Sequence, residues 1–130
     1  MQSKISKMKI VISISIIALL ISNCSRKTDL DNQITITINS VDSKTKLPRI
    51  NTFDDVEVRK EGIGYLMKTF KRVGKYKTDS TGSVKVKIDT TKIYDISVLA
   101  ENALGGDMYY PGYLKDGQKV IIEVVSLENK

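Results

Sequence analysis

Ile34, Ile36 and Ile38 alternate with Thr35, Thr37 and Asn39. A period of two carried by β-branched residues predicts a strand with two distinct faces. The pattern returns at Val56 and Val58 within 55–60 and at Tyr94, Ile96, Val98 and Ala100 within 94–100. It is cleanest over 83–88, where Val84, Val86 and Ile88 face one way and Lys85 and Lys87 the other. A last strand is predicted over 118–127. Val120, Ile122 and Val124 share one of its faces and Ile121 and Val125 the other, so both faces are expected to be covered.

Turn chemistry separates these runs. Asp79-Ser80-Thr81-Gly82 combines side chains that bond the backbone locally with a glycine free to take positive φ. Residues 89–92 read as a second turn, and 40–49 as a polar connection closed by Leu47-Pro48, where proline lacks an N–H. Glu61-Gly62-Ile63-Gly64 is expected to break the second strand, and 101–107, with Gly105-Gly106, to be a loop. Residues 64–73 have two readings. Leu66, Phe70 and Val73 at i, i+4 and i+7 fit a helix ended by Gly74, but one or two strands with a turn near Gly74 are preferred over 65–77. About seven short strands between turns predict an all-β antiparallel sandwich.

Ahead of this region Lys4, Lys7 and Lys9 precede an apolar run over 10–21. The run is shorter than the roughly 20 residues a spanning helix needs, and its length suits the helical core of a signal peptide. It ends at Ile21-Ser22-Asn23-Cys24, and Cys24 is the single cysteine. These four residues resemble the bacterial lipoprotein box, with Asn23 standing where Gly, Ala or Ser is usual. The resemblance implies cleavage before Cys24 and acylation of Cys24, with palmitate among the chains. Ser25 is compatible with outer-membrane sorting on the same resemblance. A plain secretory signal cut nearby and an uncleaved anchor are the competing readings. The expected organisation is a signal over 1–23, a polar tether over 24–32 and a β-sandwich over 33–130.

Cleavage there leaves 107 of the 130 residues, enough for one domain with its own core. A single cysteine rules out an intramolecular disulfide framework. The net charge is +6, and the leader holds three lysines and no acid. The remainder is mildly basic, which does not suggest a nucleic-acid partner. The chain has no histidine. It therefore lacks the commonest general base and metal ligand, and Ser-His-Asp and Cys-His arrangements are impossible within it. No cofactor or metal is implied, and a non-catalytic role is expected.

Ile34-Thr35-Ile36-Thr37-Ile38, Asp42-Ser43-Lys44-Thr45-Lys46-Leu47-Pro48 and Val56-Glu57-Val58 form one set of motifs. Thr78-Asp79-Ser80-Thr81-Gly82-Ser83-Val84-Lys85-Val86 and Tyr94-Asp95-Ile96-Ser97-Val98 form another. Together they resemble the transthyretin-like sandwich, the group that includes the carboxypeptidase regulatory-like domains, over most of 34–100. The resemblance implies a seven-stranded accessory, binding or structural module. It carries over neither the histidine-dependent hydrolysis nor the isopeptide bond of some relatives, because the histidines and a first-strand lysine are missing.

Tyr109, Tyr110 and Tyr113, with Met108 and Pro111, form the aromatic cluster of the chain. Flat faces bearing hydroxyls suit a protein partner or a glycan, and they equally suit capping one end of a core. Lys68, Lys71, Arg72, Lys75 and Lys77 could meet anionic headgroups or an acidic partner, or simply guard a strand edge. Asp54, Asp55 and Asp79 match no calcium-loop spacing and read as turn residues. Asp89, Asp95 and Glu101 are too scattered for a carboxylate pair, and Gly105-Gly106 lacks the Lys-Ser/Thr of a phosphate loop. The expected role is an envelope lipoprotein that docks to another envelope protein, with polysaccharide binding as the alternative.

Overall fold

The computed structural model describes residues 32–127. The leader, the box Ile21-Ser22-Asn23-Cys24 and the tether as far as residue 31 lie outside the described residues. Seven strands make up the domain: β1 (Gln33–Asp42), β2 (Asp55–Gly62), β3 (Thr69–Lys77), β4 (Ser83–Asp89), β5 (Tyr94–Ala100), β6 (Ala103–Tyr109) and β7 (Lys119–Ser126). Among the described residues there is no α-helix, so the helical reading of 64–73 falls.

The strands hydrogen-bond in the order β3-β2-β5-β6-β7-β1-β4, one sheet rolled into a nearly closed barrel. The alternating positions of β1, β2, β4, β5 and β7 point inward. Ile36, Ile38, Val56, Val58, Val86, Ile96, Val98, Ile122 and Val124 form the centre of the core. Full burial of each stabilises the fold by about 1.5–3 kcal/mol before entropy is charged. Tyr94 joins them, and its hydroxyl accepts a hydrogen bond from the Asp89 N–H at 2.9 Å.

The expected turns form as the side chains dictate. Asp79 Oδ1 accepts from the Thr81 N–H at 2.9 Å, the Thr81 hydroxyl at 2.6 Å and the Ser83 N–H at 3.1 Å, while Gly82 takes φ +79°. Asp89 Oδ1 does the same for Thr91.

The sheet departs from the sequence expectation in six places. First, it is not wholly antiparallel, because β1 pairs with β7 in parallel. The 110–118 segment turns back at the pole where β1 starts, bonding Gly117 N–H to Thr35 O and Thr37 N–H to Gln118 O, so β7 sets out in the same direction as β1. Second, β1 continues through Ser40 to Asp42, because Ser40 is buried and its N–H bonds the Gly82 carbonyl.

Third, β2 runs on through Glu61 and Gly62, paired with Phe70 and Thr69. Fourth, β3 passes straight through Gly74 without a turn. A bulge shifts its register opposite Val58 and Arg59, and the Tyr76 ring fills the space a Cβ would need at Gly74. Fifth, 103–109 is a strand and not a loop. Gly105 lets β6 approach the β7 backbone at Glu123 and Val124 more closely than a side chain would allow. Sixth, only one face of β7 is covered, with Ile121 62% and Val125 52% exposed.

Candidate functional site

The three tyrosines are split by register. Tyr109 is the last residue of β6, pairs with Tyr94 and packs on the core. Burial, reinforced by the nearby Asp107 carboxylate, pushes its hydroxyl up to about 12. Tyr110 and Tyr113 lie beyond the strand and are exposed, with ring centroids 6.2 Å apart and planes tilted by 56°. The crevice that Tyr109 and Tyr110 line with Tyr94, Asp89 and Leu114 has about 10 Å³ of free volume, no more than a single water occupies. Tyr109 is thus an end cap of the core, and the other two form an edge-tilted pair, not a flat platform.

The basic run belongs to β3 and the residue ahead of it. Most of it faces acids across the hairpin. Lys68 pairs with Glu61 at 3.2 Å, Arg72 with Glu57 at 3.5 Å, and Lys75 and Lys77 with Asp55 at 3.6 and 3.2 Å. Lys71 is the exception. It sits directly opposite Lys60, and neither makes a salt bridge among the described residues.

The acidic candidates are structural. Asp54 is buried and accepts from Arg49 and from the Ser40 hydroxyl. Burial alone would raise its carboxyl, but these hydrogen bonds outweigh it and hold the group below the ordinary value. Asp55 binds the two lysines, and Asp79 and Asp89 close turns. Asp95 accepts from Arg59 Nη2 at 2.7 Å.

Two surfaces emerge that the sequence does not advertise. On the outer face, Leu99 stands opposite Leu104, and Leu104 opposite Val125, giving an exposed apolar row across three adjacent strands. It borders a shallow groove of about 470 Å³ that Glu57, Arg59, Ser97 and Gly106 also line. The row was hidden because Gly105-Gly106 reads as a loop. The alternation of Leu104, Gly106 and Met108 was the available signal.

The second surface is the connection from β2 to β3. Ile63, Tyr65, Leu66 and Met67 all project into solvent, with Leu66 92% and Met67 77% exposed. Its signal was the Gly62-Ile63-Gly64 break just ahead of it.

Comparison with known protein-family models and with curated proteins finds no match.

Proposed function

We propose that this chain is an envelope lipoprotein held to the membrane by acyl chains on Cys24, whose domain is a transthyretin-like sandwich acting as a non-catalytic accessory or scaffold subunit. The sandwich reading is supported by the β6–β7 joint, whose paired residues are Ala103 and Leu104 with Ser126 and Val125. Either side of it, β3-β2-β5-β6 and β7-β1-β4 contribute to one core.

The observation that carries the docking role is the Leu99-Leu104-Val125 row. Three large apolar side chains in register across three strands form a continuous patch of the kind that marks a protein contact. Tyr110 and Tyr113 follow the far end of β6 from Leu104 and form a separate exposed pair. The acyl chains raise local concentration, so a modest contact suffices. Polysaccharide binding is the weaker reading, because Tyr109 is packed away and the other two rings do not lie flat.

The test is photo-crosslinking in living cells from a reactive residue placed at Leu104, with one at Lys85 as control. A discrete adduct from position 104, lost when Leu99 and Val125 are changed to Ser, is expected. Equal labelling from both positions contradicts the docking role.

A further inference from the structure

The connection between β2 and β3 displays Ile63, Tyr65, Leu66 and Met67 with almost no protein contact. Burying apolar side chains is the main stabilising force of a fold, so four within five residues left in water call for an external apolar phase. The base of this tip carries Lys60, Lys68 and Lys71. Lys60 and Lys71 face each other across the two strands, a like-charge pairing that weakens the hairpin. Lys60 and Lys92 line one cleft with Ile63 and Pro111, which brings the 89–92 turn and the tyrosine loop to the same pole. Acids at this pole include Glu61, paired with Lys68, Asp89, and Asp116, which accepts from the Thr35 N–H. The Asp89 carboxyl is lowered first by its bonds to Thr91 and then by Lys92 and Lys60.

The chain also enters the domain at this pole. The Thr90 N–H bonds the Asn32 carbonyl at 2.9 Å, and Gln33 pairs with Asp89. Asn32 is eight residues beyond Cys24, a span of at most roughly 29 Å when fully extended.

We propose that the 63–67 tip is a second membrane contact, inserting Ile63, Leu66 and Met67 into a bilayer with anionic headgroups while Lys60, Lys68, Lys71 and Lys92 meet the phosphates. Tyr65 supplies the amphipathic ring suited to the interface. An apolar tip within a basic collar has the two attractions that interfacial binding combines, buried apolar area and anionic lipid. The placement of the pole beside the bilayer rests on the Cys24 anchor; the insertion itself does not. The tip turns a tethered domain into an oriented one, with the Leu99-Leu104-Val125 row at the end of the sheet away from the bilayer.

The chain has no tryptophan, so a single one reports its own surroundings. The full-length protein purified from membranes is reconstituted as Leu66→Trp, and separately as Leu47→Trp at the opposite end of β1. The vesicles are phosphatidylcholine with or without phosphatidylglycerol. Brominated acyl chains are expected to quench the Leu66→Trp indole, with a blue-shifted emission that strengthens with phosphatidylglycerol. The Leu47→Trp indole keeps its emission in water. Adding Lys60→Glu is expected to weaken the quenching, because it removes a cation from the collar. An indole at position 66 that stays in water in both vesicles overturns the proposal, whatever the state of Cys24. A protein that lacks acyl chains but is still quenched upholds the tip and sinks the anchor.

Discussion

Arg49 and Asp54 are joined by two hydrogen bonds, Nε to Oδ2 at 2.8 Å and Nη2 to Oδ1 at 3.3 Å, across the loop that leads from β1 into β2. The Asp54 side chain is 2% exposed and that of Arg49 19%. The carboxylate has left water and the guanidinium is partly buried, so each depends on the other. Asp54→Ala strands the guanidinium and is expected to cost about 3 kcal/mol in chemical denaturation. Ser40→Ala removes one neutral donor and should cost about 1 kcal/mol. Equal costs would mean the ion pair contributes nothing specific.

The same carboxylates fix the acid limit of the fold. Asp42, Asp54, Asp55, Asp79 and Asp89 are all held below their ordinary values in the folded chain. Their contribution is complete above the unfolded value near about 4 and is lost as pH falls through the lower folded values. The unfolding midpoint should therefore hold on approach to that value and drop steeply below it. At the alkaline end, Tyr109 is raised to about 12 by burial, so stability should fall as pH rises from about 10, and Tyr109→Phe should flatten part of that fall.

Gly74 and Tyr76 are a coupled pair. A Cβ at position 74 would lie 2.7 Å from the Tyr76 hydroxyl oxygen, so Gly74→Ala must push the ring aside. The single change should cost about 1 kcal/mol. In a Tyr76→Ala background the same change should cost little or nothing, because the space is then empty. Additive costs would place the strain in the bulge itself.

Gly105 meets backbone rather than a movable side chain, at Glu123 and Val124 of β7. Gly105→Ala is expected to cost about 1–3 kcal/mol and to expose the short β6–β7 joint to amide exchange. Gly112→Ala is a weaker comparison for packing, since nothing surrounds that position, although its φ of +83° still disfavours a side chain.

Much of the fold was legible because local chemistry and tertiary need agree. Ile34-Ile36-Ile38, Val84-Val86-Ile88 and Tyr94-Ile96-Val98 read as strands and are strands, and Asp79-Gly82 reads as a turn and is one. The misses lie where a residue answers to a distant neighbour. Gly105 is set by the β7 backbone and Gly74 by the Tyr76 ring, and neither relation is visible in a local window. Ile121 and Val125 are apolar yet exposed, because nothing in the described domain covers that side of β7. In the site, the tyrosine cluster was found from sequence, but the division between a packed Tyr109 and exposed Tyr110 and Tyr113 depends on where β6 ends. The Leu99-Leu104-Val125 row depends on cross-strand register, which sequence spacing does not encode.

The central claim, a lipid-anchored docking domain, is tested most directly by the intact mass of the protein extracted from cell membranes, followed by fragmentation of its first residues. The account predicts a chain that begins at Cys24, lacks residues 1–23 and carries acyl chains on that cysteine. A chain that retains the leader, or that begins elsewhere with Cys24 unmodified, would contradict it.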